Sequence, residues 1–339
     1  MVTRNVRWLA LAALCTAGLV GAGCGSSGSS SSSGSKSGAG SKNADAKVAI
    51  VLTRSEDSAF GQPAVDAAKD IRAQLGNEVT VQGDVSLANV QQTIEGYAAR
   101  GYGLVLIDGA EMQQQAALVA PRYPKVKFVV VNGNTQAAPN LSSATFAWEQ
   151  SGFLAGIAAG IATHTNKVGM VSTIEIPPIQ GLYYGFQQGV KQVNPKASTT
   201  NSYMGTNVPD TGLTANLTSA QASQGRDVVF TVATSADGGV FRAAGEKNVK
   251  VIGYGSDETS HGPKVILTSA LVDYRGTILQ MAKLFDQGKL EPKVYSYGFE
   301  DHVFSLAPIA NVPPAVADRI KRMADRAAAG EFTIKPLES

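Results

Sequence analysis

The feature that most constrains this chain is a regular alternation. From Lys47 on, short apolar runs rich in β-branched residues are separated by longer stretches with helical periodicity. KVAIVLT at 47–53, VTVQ at 79–82, GLVLID at 103–108 and KFVVVN at 127–132 read as strands, with a fifth over Ser143–Ala147. Between them a helix carries Val65, Ala68, Ile71 and Leu75 on one side, and others span Val90–Ala99 and Glu111–Val119. The rhythm then repeats. Helix Gln150–Thr163, strand Lys167–Thr173, helix Ile179–Val193, strand Ser198–Met204, helix Gly212–Ala222, strand Asp227–Ala233, helix Gly239–Glu246 and strand Val249–Gly255 follow in order. Strands that are apolar at every position are covered on both faces, which predicts parallel sheets sandwiched by helices. Two runs predict two α/β lobes: one over 46–147, completed by about 266–300, and one over 148–265, completed by about 301–339. The segments left for that completion are a strand over Val265–Val272, a helix over Tyr274–Gln287, an alternating strand over Val294–Phe304 and a last amphipathic helix over Val316–Ala328. GIAAG at 156–160 imitates a small-xxx-small membrane motif. Its apolar stretch is too short to span a bilayer, so a buried, closely packed helix is expected there.

The first 45 residues belong to a different regime. Arg4 and Arg7 precede an apolar run over Trp8–Val20, then Gly21-Ala22-Gly23-Cys24 and a Ser/Gly tract. A positive n-region, a short apolar h-region and small residues before a cut site make an export signal. With the cysteine after the small residues, 1–23 resembles a lipoprotein signal peptide, a plain secretory signal being the alternative. Cys24 is then the lipidation site, and 24–45 a flexible tether. The apolar run is too short for the ~20 residues that a spanning helix needs. The protein is expected on the extracytoplasmic face of the cell membrane.

Removing 1–23 takes 29 basic and 27 acidic residues to 27 and 27. A near-neutral domain presents no basic face, so nucleic acid is not an expected partner. The chain's 2 cysteines, Cys15 and Cys24, both lie in the signal region, so no disulfide and no thiol chemistry is expected beyond it. His164, His261 and His302 have no neighbour at metal-ligand spacing. No Gly-x-Ser-x-Gly elbow follows the tether. No catalytic residue, no metal and no cofactor is assigned, and the chain is read as a binder, not an enzyme. A nucleoside hydrolase would need several aspartates close in sequence to hold a divalent ion, and Asp57 has only Glu56 beside it.

Longer motifs narrow the reading further. FAWEQSGFLAG at 146–156, KVGM at 167–170, PPIQG at 177–181, GFQQG at 185–189, GRDVVF at 225–230, GGVFRAA at 238–244, VIGYGSD at 251–257 and LTS at 267–269 occur in one order. In that order they resemble the basic membrane protein family of lipoproteins, the purine-nucleoside-receptor-like substrate-binding proteins of ABC transporters. The likeness covers nearly all of 47–310. It implies a type I periplasmic-binding-protein fold: two Rossmann-like lobes joined by a three-segment hinge, a nucleoside-like small molecule in the cleft and a transmembrane permease as partner. Separately, the chain is expected to act as a monomer. The alternatives kept open are a tethered sensor for a membrane partner, an adhesin, and a binder of another small polar ligand such as a sugar.

Ligands of open α/β sheets bind beyond the carboxyl ends of the strands. Ser55, Asp57 and Phe60 follow the first strand, Asp108 ends the third, Asn132 the fourth, and Asp257 follows the last strand of the second run. The resemblance assigns the loop at 57–62 to a family Asp-x-Ser-Phe-Asn signature, of which Asp57 and Phe60 are present while Ala59 and Gly61 depart. Phe60 offers a flat face for a base. Asp57 is equally suited to capping the next helix. Asp257 matches the second acid of a family Gly-x-Asp-x-Asp run suited to ribose hydroxyls, and Gly255 stands in place of the first. Trp148, at the first crossover, either stacks on ligand or covers the hinge. Asn207 replaces a family aromatic, which Tyr183 or Tyr184 would have to supply. Val272 replaces a family lysine.

Overall fold

In the computed structural model, residues 43, 45–58 and 61–337 are described. The signal, Cys24, almost all of the tether, and Phe60 lie outside them. The described chain forms two sheets. The first draws on β1 (Val48–Leu52), β2 (Val79–Gln82), β3 (Leu104–Asp108), β4 (Lys127–Val131) and β5 (Leu141–Phe146). These alternate with α1 (Gln62–Leu75), α2 (Val90–Ala99) and α3 (Gln113–Val119). The second draws on β6 (Lys167–Ser172), β7 (Ser198–Tyr203), β8 (Val228–Val232), β9 (Lys250–Gly255) and β10 (Ile266–Val272), with α4 (Trp148–Ala162), α5 (Pro177–Val193), α6 (Thr211–Ser223) and α7 (Asp237–Lys247). The chain ends with α8 (Tyr274–Asp286), β11 (Val294–Tyr297), β12 (Phe304–Leu306) and α9 (Pro314–Ala328).

Each sheet is six-stranded, ordered β11-β5-β4-β3-β1-β2 and β12-β10-β9-β8-β6-β7. Within the first sheet every pair is parallel, as in β1 with β3, where Leu52 lies opposite Asp108. The second is parallel except for β12, which runs antiparallel to β10. β1, β3 and β8 are buried at every residue. That is the outcome expected of strands apolar on both faces and covered by helices.

Two expectations are corrected. The return to the first sheet does not begin near 266, because β10 pairs with β9 and stays in the second; it begins with α8, which follows. The alternating stretch 294–304 is not one strand. It breaks after Tyr297 at a helical turn over Phe299–Asp301 that ends on His302 at φ +58, and its two ends pair in different sheets. This is the third crossing between sheets, after Ala147 and Asp273.

The crossings share one aromatic cluster. Phe146 lies 5.0 Å from Trp148, 5.3 Å from Tyr274 and 6.3 Å from Phe304 between ring centroids, and Trp148 lies 6.2 Å from Tyr254 of β9. Tyr254 and Tyr274 are bonded through their hydroxyls, one from each lobe, and burial pushes both phenols up, Tyr274 to about 12.

The stretch containing GIAAG is α4, a buried helix, and its nearest neighbour is another helix, α5. Gly152 and Gly156 on α4 meet Gly185 and Gly189 on α5 at the same four-residue spacing. A Cβ on Gly156 would lie 2.2 Å from the Phe186 carbonyl oxygen, and one on Gly189 2.1 Å from that of Phe153. The ridges of small residues let two backbones touch. Among the described residues no helix is long and apolar enough to cross a membrane.

Candidate functional site

The carboxyl ends of β1, β3, β8 and β9 gather the polar groups. Beyond β1, Arg54 turns back onto the end of β3. Its Nη2 lies 3.0 Å from Oδ1 of Asp108 and donates to the Asp108 carbonyl at 3.1 Å. Asp108 is 2% exposed. Burial raises its pKa, with Arg54 pulling the other way. For Arg54, burial acts to lower the pKa, and Asp108 and Glu111 more than offset it. A buried pair of this kind holds a side chain in one place more than it stabilises the fold. Further along the loop, Ser55 donates to Asp57 at 2.5 Å and Ser58 donates to the Ser55 carbonyl at 2.6 Å.

Across from this loop lies the end of the second sheet. A cavity of about 800 Å³ is lined by Arg54 and Ser58 from the first lobe and by Thr234, Ser235, Asp237 and Glu258 from the second. Phe241 of α7, with Pro263 and Val265, supplies an apolar wall. Arg242, His261 and Lys264 also border it. Thr234 sits at φ +55. That is uncommon for a β-branched residue, and such strain concentrates at sites. Asp237 accepts hydrogen bonds from the Thr231 hydroxyl and, at 3.2 Å, from the Ala233 N–H. Glu258 meets Nδ1 of His261 at 2.9 Å and accepts from Ser256 at 3.2 Å. Asp237 is pushed up to about 7, chiefly by burial, with Glu258 adding to the rise and Thr231 opposing it.

The expected residues are distributed unevenly around this cavity. Asp57 and Asp257 are exposed, on the two loops that face it, but Ser58 and Glu258, one residue on, line it. Asp257 accepts from the Thr259 N–H at 3.0 Å and from its hydroxyl at 2.5 Å. Asp108 meets the cavity through Arg54. Trp148 is 6% exposed in the aromatic cluster, which favours covering the hinge. Asn207 is exposed beyond the edge strand β7. Tyr183 donates to Thr199 of β7 at 3.4 Å and borders a separate depression with Tyr184 and Tyr203. Asp237 and the Glu258–His261 pair were not singled out from the sequence. They lie 21 residues apart (Asp237 to Glu258) and carry no motif; only the pairing of β8 with β9 brings their loops together.

Two parallel-sheet lobes, joined by three crossings, line one cavity between them, and comparisons with known proteins place this fold. Residues 46–326 match the family model "Bmp: ABC transporter substrate-binding protein PnrA-like". The chain belongs to the Bmp family. Its relatives include the "Transcriptional activator protein med" of Bacillus subtilis, 27% identical over 64% of this chain and 67% of that one. Another is the "ABC transporter nucleoside-binding protein BmpA" of Lactococcus lactis, 29% identical over 59% of this chain and 58% of that protein's length. Among solved structures, a solute-binding protein of an ABC transporter system from Conexibacter woesei aligns at TM-score 0.69 and 25% identity, over 86% of this chain and 99% of that one. A "Transcriptional Activator of comK gene" from Bacillus halodurans aligns at TM-score 0.74 and 24% identity over 85% and 100%. The fold is therefore the type I periplasmic-binding-protein fold.

Set in the Bmp fold, two departures acquire physical reasons. Gly255, where the family pattern has an acid, ends β9 at φ +85, a left-handed conformation that glycine adopts without a Cβ penalty. Val272, in place of the family lysine, is 7% exposed and packed in the core at the second crossing.

Proposed function

We propose that this protein is the lipid-anchored, extracytoplasmic substrate-binding component of an ABC importer. It captures a small polar ligand between its lobes, with purine nucleosides as the leading class. The observation that carries this reading is the cavity lined from both lobes in a chain of the Bmp family. The nucleoside class draws on relatives whose names describe a nucleoside-binding protein of Lactococcus lactis and a purine-binding protein of Brucella abortus. Ligand contacts on both lobes favour the closed form, because a ligand shifts an equilibrium only by its differential affinity for the two states. The closed protein then docks on the permease. A thermal-shift screen of residues 41–339 against nucleosides, nucleobases, sugars and amino acids tests the class. A rise in melting temperature with adenosine, guanosine or inosine alone supports it. A rise with sugars alone moves the ligand class.

In this reading Phe60 stacks on the base, and Asp257, exposed on a loop that faces the cavity and not part of its lining, takes ligand hydroxyls as the lobes close. Phe60→Ala and Asp257→Ala are each expected to weaken binding by roughly 1–3 kcal/mol. Calorimetry checks this, and wild-type affinity in both variants would remove these residues from the site. Anchoring rests on Cys24: Cys24→Ala is expected to move the protein from the membrane fraction to the soluble one, and a fractionation immunoblot reads the difference.

A second reading has a specific observation behind it. The two transcriptional-activator relatives span the same fold, so the same closing cleft suits a sensor that reports to a partner. Deletion of the gene separates the two, since an importer subunit takes uptake of its ligand with it.

A further inference from the structure

The second-lobe end of the cavity contains a group with a specific chemical demand. Asp237, the first residue of α7, is 6% exposed and lines the cavity. Both hydrogen bonds to its carboxylate fall on Oδ1; Oδ2 receives none among the described residues. The charged groups around it come from three elements. Glu258 and His261 stand on the loop after β9, Arg54 reaches in from the first lobe, and Arg242 and Lys264 are exposed at the rim. Arg54 is engaged by Asp108, and His261 by Glu258. Burial and the Glu258 charge both favour a proton on Asp237, which is pushed up to about 7, while His261 opposes. Oδ2 is open to the cavity, and the ionised form of a carboxyl held in this place, beside Glu258, is costly to the fold. Groups that tax the fold in this way gather at functional sites.

We propose that Asp237 is a ligand-contacting residue: an N–H or O–H of the ligand donates to its ionised Oδ2, and binding releases to solvent the proton that Asp237 otherwise holds. The proposal rests on the cavity being the ligand site proposed above. Capture is then strongest in mildly alkaline solution and weakens in acid, because only the ionised fraction is competent.

Calorimetry with adenosine, guanosine and inosine at pH 6 and pH 8 tests it, on wild type, Asp237→Asn and Glu258→Gln. Wild-type affinity is expected to fall about tenfold from pH 8 to pH 6. Asp237→Asn, which keeps the shape of the side chain, is expected to bind at least tenfold more weakly at pH 8 and to lose the pH dependence. Glu258→Gln is expected to shift the midpoint to lower pH, a change that a merely structural Asp237 would not produce. Equal wild-type affinity at both pH values, or an Asp237→Asn variant with the wild-type profile, overturns the proposal. A second measurement separates its failure from that of the nucleoside reading: coupling of glycinamide by carbodiimide at pH 6, located by peptide mass. Without nucleoside binding at either pH the nucleoside reading fails. Coupling at Asp237 still supports an open acceptor there, and no coupling overturns the proposal.

Discussion

Gly185→Ala is expected to destabilise the protein by roughly 3 kcal/mol, the upper end of the usual penalty for overpacking. The Cβ would lie 1.9 Å from the Glu149 carbonyl oxygen, and 2.6 Å from Glu149 Cα. Both are backbone atoms of α4, so no side chain can swing aside. Relief requires moving one helix off the other, and the glycines of both helices hold that seam together. α4 is buried along nearly its whole length and touches the strands of the second sheet, so a shift propagates into the core. Gly96→Ala in α2 is the control. Its nearest atom is the end of the Arg100 side chain at 3.4 Å, and alanine there is expected to stabilise by about 0.5–1 kcal/mol through helix propensity. Urea denaturation of the two variants decides the matter. Equal midpoints would mean that the helix seam is looser than the backbone distances indicate.

Asp237 makes the second large effect, through pH. Its carboxyl is raised from 3.8 to about 7 in the folded protein, so the folded state holds the proton more tightly than the unfolded chain. The contribution of Asp237 to stability is then highest below about pH 4, falls as pH rises through the interval to about 7, and is level above it. At 1.36 kcal/mol per unit the loss reaches roughly 4 kcal/mol. Asp237→Asn removes the charge and leaves an amide oxygen able to accept from Thr231 and Ala233. The variant is expected to match wild type near pH 4 and to melt several degrees higher at pH 8. Taking the difference between the two proteins cancels the titrating groups that do not couple to Asp237, Asp108 among them, and leaves Asp237 together with the Glu258 and His261 charges that bear on it. A constant difference from pH 4 to pH 8 would show that Asp237 does not titrate in this window. Read with the proposed ligand contact, the prediction sets stability against function: the substitution that strengthens the fold weakens capture.

Some of this was legible in the chain and some was not. The central strands of both sheets were, because β1, β3, β4 and β8 are short, almost wholly apolar runs, and such runs are uncommon outside buried parallel sheets. The burial of α4 was legible from its length and glycines, but its neighbour was not. Small residues announce close approach without saying to what. The stretch over 294–304 misled because an alternating pattern is the same whether its two ends pair with one sheet or two. Trp148 looked equally suited to ligand and hinge from its position. Its burial among rings from all three crossings is a fact about segments more than a hundred residues apart.

The sequence by itself determined the α/β class, the two lobes, and the end of the sheets at which polar loops collect. Each of these follows from local periodicity and from the directionality that parallel pairing imposes. Tertiary structure decided which loop residues meet. It placed Ser58 and Glu258 on the cavity instead of Asp57 and Asp257, held Arg54 there by a partner 54 residues away, and brought Asp237 beside Glu258 and His261. Those choices turn on one-residue differences in where a loop points and on contacts between distant segments. No local pattern of hydrophobicity encodes them, because the energy that selects them exists only once the sheets have formed.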